Sequence, residues 1–460
     1  MLKIKRTRSD ILHGVIWQQI LLFFFPVLFG TIFQQLYNTI DAIIVGNIVG
    51  KEALGAVGGT TGTIVNLIVG FLVGLTSGAT VSVAQYYGKQ DRERVHLAVS
   101  TGMTLALILG AIITVIGYII TPSLLEFVNV PVEILGLSIT YLRIYFLGMI
   151  PTMIYNTGAS ILRATGDSKR PLYFLIVSCF VNIILDILFV AVFHWGIDGA
   201  AIATIIAQIV SCIFMMLVFW RTDDSFRFTF KDLHINMPML KQILAIGFPL
   251  GLQSSLYSFA NLFVQSSING YGTDVVAAYT AFGKIDALYW NVSGAMGTAI
   301  LTFTGQNFGA GNIDRVKKGV RVGILEEIIL SILLTLVCYF GSPFLYRMFT
   351  SDANVISIGI GIMHFISPFW TTFFAIEIFA NAMRGCGESF LPTLMLALGI
   401  GVYRIMWILF FPSKTIYEIL VCYPISWILT SLLFTIYYYK GTWLKRSLVR
   451  REKQLSTTIE

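Results

Sequence analysis

Gln85-Tyr-Tyr-Gly88-Lys-Gln-Asp-Arg-Glu-Arg94-Val95 returns 221 residues later as Gln306-Asn-Phe-Gly309-Ala-Gly-Asn-Ile-Asp-Arg315-Val316. Gln, Gly, Arg and Val coincide. Arg163-Ala-Thr-Gly166-Asp167-Ser168-Lys-Arg-Pro171 returns as Arg384-Gly-Cys-Gly387-Glu388-Ser389-Phe-Leu-Pro392, again at an offset of 221. Two independent motifs with one offset mark an internal duplication. Each motif is a short polar loop between long apolar stretches. The duplicated unit is therefore a block of hydrophobic segments.

Composition says what solvent those segments meet. Of 460 residues, 56% are hydrophobic and only 12% charged, with a mean hydropathy of +0.79. Soluble domains carry roughly 25% charged residues, so lipid is the main solvent here. A membrane-crossing helix needs about 20 apolar residues. Twelve such segments are predicted, centred near Phe29, Ile68, Ile108, Phe146, Ile183, Ala207, Ser255, Trp290, Ser331, Ile366, Gly401 and Ile428. The distribution of the 31 Lys and Arg residues agrees with this count. With the N-terminus placed in the cytoplasm, nearly all fall at the two termini or in cytoplasmic loops. Lys51, Arg347 and Lys414 fall on the opposite side, and Arg143, Lys284 and Arg404 within spans. Such a bias follows the positive-inside rule and puts both termini inside.

Six spans per half is an even number, so both halves start on the same side and the repeats are parallel. The expected fold is an all-α integral membrane protein of twelve transmembrane helices. They form two pseudo-symmetric six-helix lobes around a central cleft. Residues 1–220 make the N-terminal lobe, the polar stretch 221–241 a cytoplasmic linker, and 242–460 the C-terminal lobe with a cytoplasmic tail. The basic stretch at Lys3, Lys5, Arg6 and Arg8 resembles the start of a signal peptide, but no small-residue cleavage site follows. The first apolar segment therefore reads as a retained span.

Several function classes find no support. The net charge of +7 comes from basic residues at segment ends, not from a nucleic-acid-binding stretch. Cys179, Cys212, Cys338, Cys386 and Cys422 lie in or beside apolar runs without a CxxC pair, so they read as small buried hydrophobes. No GxxxxGK[ST] is present, which argues against ATP drive within this chain and implies no ATPase subunit. Nor is there an HExxH, GxSxG or DxDxDG element, and no catalytic residue is assigned. His13, His96, His194 and His234 lie near span ends and His364 within a span, so they do not gather readily.

Charges inside spans are functional candidates by default, because each costs about 2.5–3.5 kcal/mol even on a lenient insertion scale. Asp41 and Asp186 carry most information. Each is eight or nine residues from the outer end of its helix, hence roughly 12 Å below the outer surface. Asn182, at i−4, shares a face with Asp186. Thr204 enters at similar depth on the returning sixth helix. Two carboxylates, an amide and a hydroxyl offer oxygen ligands to a hard cation such as Na⁺. Alternatively the two carboxyls share a proton. Pro26 sits mid-span in the first helix and can bend it. Gln34 is seven residues before Asp41 on the same side. Glu377 and Asn156 occupy matched positions at the offset of 221, which suggests that both face the cleft. Asp286 is a further cleft candidate. Arg143, Lys284 and Asp286 could instead neutralise one another, and Glu377 could pair with Arg404 or Lys284.

Asp41-Ala-Ile-Ile-Val-Gly46, Gly50-Lys-Glu-Ala-Leu-Gly55, Asn182-Ile-Ile-Leu-Asp186, Thr304-Gly-Gln-Asn-Phe-Gly-Ala-Gly-Asn312 and the paired Arg-x-x-Gly-[Asp/Glu]-Ser elements resemble the multidrug and toxic compound extrusion (MATE) family. The resemblance covers essentially the whole chain. It implies a plasma-membrane antiporter, associated with drug resistance, that exports small organic and often cationic compounds in exchange for H⁺ or Na⁺, without a cofactor. In the DinF-like branch the coupling site lies in the N-terminal half; Asp41, Asn182, Asp186 and Thr204 match it, and Pro26 matches the bending first helix. The NorM-like branch uses acids of the seventh and tenth helices. Here the seventh reads Gln253-Ser-Ser-Leu-Tyr-Ser-Phe-Ala-Asn261 and is acid-free, and the tenth offers Glu377. Rival readings are a lipid-linked-sugar flippase of related fold, which calls for a more basic cleft, and a membrane-embedded enzyme or a channel, whose metal-ligand or filter motifs are missing.

Overall fold

The computed structural model describes residues 10–411 and 414–456. Among them every regular element is helical. Ten helices are long and apolar enough to cross a membrane, and a bent pair makes an eleventh. The first six spans are Ile16–Ile48, Glu52–Gly88, Arg92–Phe127, the bent pair Val132–Leu147 with Met149–Ala164, Lys169–Val192 and Gly196–Arg221. The second six are Met237–Tyr271, Thr273–Ala310, Ile313–Arg347, Ala353–Gly385, Phe390–Phe410 and Ile416–Lys440. Thr273–Ala310 is the least apolar because it carries Asp274, Lys284 and Asp286, yet at 38 residues it is the longest. All twelve predicted centres fall in these spans.

The duplication is visible in backbone geometry. The fourth span bends by 52° at Gly148. The tenth, its repeat, tightens into a 3₁₀ segment over Ser367–Phe373, with Pro368 near its start. The fifth span widens into a π-helical turn at Ile187–Val192, directly after Asp186. The eleventh does the same at Ala397–Val402, just before Tyr403 and Arg404. π turns often accompany functional positions. The loop motifs also fold alike. Gly166 and Gly387 both take positive φ, at 91° and 85°. Asp167 N–H donates to Leu162 O at 2.9 Å and Glu388 N–H to Met383 O at 2.9 Å, so each motif closes its helix with the same Schellman-type cap. Gln90 and Gly311 are another matched left-handed pair, at φ 62° and 84°.

By packing, the chain forms two units: Phe25–Gly251 in one, and Asp10–Phe24 with Leu252 onward in the other. This grouping differs from the repeat boundary, because two helices are divided. The first span changes unit after Phe24, two residues before Pro26, and the seventh after Gly251, two residues past Pro249. The physical reason in the seventh span is a glycine seam. A Cβ on Gly247 would fall 1.8 Å from Leu75 O, one on Gly78 1.9 Å from Ile243 O, and one on Gly74 2.6 Å from Gly251 Cα. Gly74 and Gly78, and Gly247 and Gly251, are both small-xxx-small pairs. In lipid such pairs drive association by letting backbones approach.

Polar segments dock on the loop motifs. In the first unit, linker residues Phe226 and Phe228 are buried, Phe226 edge-on to Phe219 at 6.0 Å. The backbone N–H groups of His234 and Asn236 donate to Thr104 and Thr101. Burial pushes the Asp232 carboxyl up. Hydrogen bonds from the Thr229 hydroxyl and backbone N–H, with His96 and Arg227 nearby, outweigh that and hold it below the usual range. In the second unit the helix Trp443–Ser456 plays the corresponding part: Arg450 pairs with Glu388 at 3.1 Å and Arg451 donates to Gly309 O at 3.4 Å. Arg315 donates to Ile11 O at 3.1 Å and also to Gly14 O.

The seam makes a prediction. Gly247→Ala drives a methyl into a backbone carbonyl, so it is expected to destabilise the protein by roughly 1–3 kcal/mol. Gly136→Ala, where a Cβ meets nothing within 4 Å, is expected to be neutral. Thermal unfolding in lipid nanodiscs distinguishes the two; equal unfolding temperatures would refute the close-packed seam.

Candidate coupling site

Asp41 lies on the first span and is 6% exposed; Asn182 and Asp186 on the fifth are both 0% exposed, and Thr204 on the sixth is 3% exposed. Fifth and sixth spans pack along their length as consecutive antiparallel helices, which sets Thr204 opposite the Asn182–Asp186 face. Asp41 and Asp186 interact electrostatically, and Asn182 lies beside Asp186. The four residues therefore share one buried layer of the first unit. The chain brings three tyrosines to the same layer. Tyr37, one turn before Asp41, hydrogen-bonds Thr204 and feels both acids. Tyr141 also interacts with both acids and stacks on Tyr145 at 6.2 Å. Thr204 in turn donates its hydroxyl proton to Ala200 O at 3.0 Å.

What stands out is how little of this layer is satisfied. Asp41 Oδ1, both oxygens of Asp186, and both Oδ1 and Nδ2 of Asn182 are buried without a hydrogen-bond partner. A buried polar atom left unpaired costs about 1–3 kcal/mol, and such atoms are few in folded proteins. Their chemistry fits a small cation or a proton: two carboxylates, an amide oxygen and hydroxyl oxygens, all hard donors. Among the described residues, no three His, Cys, Asp or Glu side chains gather as a metal centre.

The other sequence candidates are more dispersed. Pro26 is inside the first helix and half-buried, Gln34 is exposed, and Asn156 is half-buried. Asp286 accepts from the indoles of Trp290 at 2.7 Å and Trp370 at 3.0 Å and interacts with Arg404. Arg404 lies over the Tyr423 ring at 4.1 Å. Arg143 is satisfied by Tyr118, whose carbonyl accepts at 3.3 Å and whose ring lies 5.0 Å away, and Lys284 is exposed. These three charges thus do not neutralise one another. Glu377 accepts from Asn381 at 2.8 Å and has Arg384 as its neighbouring cation, not Arg404 or Lys284. Sequence reasoning passed over Glu326 and Glu327, both within the ninth span, and the three tyrosines. The adjacent acids were the available signal; they follow closely on Arg321 and so resemble a helix flank.

The sequence profile of the MatE family matches twice, over residues 26–188 and 249–409, once in each half. The chain belongs to the MATE family. MATE proteins are multi-pass membrane transporters, not enzymes. This MATE protein is 28% identical over 445 residues to the probable multidrug resistance protein YoeA of Bacillus subtilis, covering 95% of this chain and 96% of that one. It is 27% identical over 447 residues to the probable multidrug resistance protein YpnP of the same organism, with 94% and 97% covered. Among solved structures, a MOP superfamily transporter from Pyrococcus furiosus superposes with a TM-score of 0.88 at 23% identity, over 96% of this chain and 99% of that one. That likeness establishes the twelve-helix fold.

If the layer around Asp41 couples transport, neutralising either acid uncouples it. Asp41→Asn and Asp186→Asn, both near-isosteric, are each expected to reduce gradient-driven efflux from proteoliposomes by roughly 5–150-fold, the usual range of a coupling free energy. The purified variants should remain monodisperse. Near-normal driven efflux in both would refute the assignment.

Proposed function

We propose that this MATE protein is a secondary antiporter of the cell membrane. It exports amphipathic, often cationic organic compounds in exchange for H⁺ or Na⁺ by alternating access. The observation that carries the reading is the layer of unpartnered buried oxygens at Asp41, Asn182 and Asp186. A cation or proton bound there changes the charge of a low-dielectric layer. A conformational equilibrium shifts only as far as a ligand prefers one state over the other, and a charge change at this depth is a large preference. Pro26 and Pro249 support the reading from another side: each interrupts backbone hydrogen bonding close to where its helix passes between units. The names of the YoeA and YpnP relatives support drug-like substrates. Gln34 and Asn156 are the substrate-facing candidates of this reading.

Transport in proteoliposomes with imposed Na⁺ or pH gradients and a panel of organic cations tests it. Accumulation should follow one of the two gradients, collapse with the matching ionophore and need no ATP. Accumulation that ignores both gradients would overturn the antiporter reading. The accompanying topology has both termini in the cytoplasm. It predicts that cysteines at the matched exposed positions Glu93 and Asp314, in a chain lacking the native five, react with an impermeant reagent only from the cytoplasmic side. Reaction from outside would invert the orientation.

A further inference from the structure

The second unit holds buried acids that the coupling layer does not use. Glu327, on the ninth span, is 1% exposed. Its Oε1 accepts from the Ser293 hydroxyl at 2.7 Å, while its Oε2 is buried with no hydrogen-bond partner. Glu377, on the tenth span, presses its Oε1 to 1.9 Å from where a Cβ on Gly297 would lie, so only glycine leaves it room. Ser293 and Gly297 are one turn apart on the eighth span and therefore neighbours on one face. Glu327 and Glu377 thus reach the same helix face one turn apart, and they interact electrostatically.

Their surroundings differ. Asn381 donates to Glu377 at 2.8 Å, and the Arg384 guanidinium interacts with it. Glu327 has the Ser293 hydroxyl alone. Tyr289, one turn before Ser293 on the same face, interacts with both glutamates and with Asp286. Tyr257, from the seventh span, interacts with Glu377 and with Arg384 and Arg404. Glu326 is also buried at its carboxyl, but points from the adjacent position of the ninth span. Two ionised carboxylates at this spacing in a low dielectric repel strongly, and the single cation acts on Glu377.

We propose that Glu327 and Glu377 form a second proton-binding site, separate from Asp41 and Asp186. Glu377 is held as the carboxylate by Asn381 and Arg384, and Glu327 carries the proton on Oε2. The proton adds to that oxygen from water and leaves the same way; no other bond changes. A role in transport rests on the antiporter reading. The presence of the proton does not.

The test is infrared spectroscopy of the full-length protein in nanodiscs at neutral pH, reading the C=O stretch of protonated carboxyl groups. The parent is the Asp41→Asn, Asp186→Asn double variant, which leaves the second unit untouched. Adding Glu327→Gln is expected to remove part of the band that Glu326→Gln leaves in place. Glu377→Gln, which removes the neighbouring negative charge, is expected to move the titration of the remaining band to lower pH. This second variant keeps the test informative if Glu327→Gln does not fold. A band unaltered by Glu327→Gln in a monodisperse protein, or a titration unmoved by Glu377→Gln, overturns the proposal. If the bands behave as expected but the wild type shows no gradient-driven transport, the proton site stands and the antiporter reading falls.

Discussion

Hydrocarbon offers a buried charge no partner, and the arrangement of this protein follows from that constraint. Backbone groups are satisfied within helices. Side-chain charges have to find each other, an aromatic face, an interface or a proton. In the second unit most do so within the protein: Asp286 takes two indole N–H groups, Arg404 lies on Tyr423, and Glu377 has Asn381 and Arg384. In the first unit the equivalent depth holds Asp41, Asn182 and Asp186 with several polar atoms unpaired. A site that must accept and release a small cation cannot be fully satisfied by its own protein. The two halves thus differ in how complete their polar networks are, and that difference singles out the coupling layer.

The duplication conserves backbone devices more than chemistry. Matched glycines in Arg-x-x-Gly loops give the same cap twice, and matched breaks recur in the fourth and tenth spans. At the π turns of the fifth and eleventh spans the geometry is shared, but the nearby charge changes sign from Asp186 to Arg404. A π turn inserts one residue into the helical ladder and shifts the following side chains around the axis. The same irregularity can thus serve an acid in one half and a base in the other.

Two close approaches set where the units divide. The Gly74–Gly78 and Gly247–Gly251 pairs let the seventh span enter the first unit's packing. Packing, not sequence similarity, decides the grouping, because van der Waals contact rather than the hydrophobic effect holds helices together in lipid.

The sequence by itself determined the membrane setting, the twelve spans, the parallel duplication and the identity of Asp41, Asn182, Asp186 and Thr204 as candidates. Hydropathy, charge asymmetry and repeat offsets are properties of residue order, and lipid enforces them segment by segment. It also marked Glu377, Asp286, Arg143 and Lys284 as charges out of place, but left their partners open. Only the tertiary structure decided that Arg384 stands beside Glu377, that Asp286 is held by two indoles, and that Tyr37 and Tyr141 join the coupling layer. It also decided that Glu327 faces Ser293 inside the bundle rather than the helix flank. Partnership between side chains on different helices depends on how each helix is rotated about its axis. That rotation is fixed by side-chain packing and by glycine contacts such as Gly297 against Glu377, which no single segment of sequence contains.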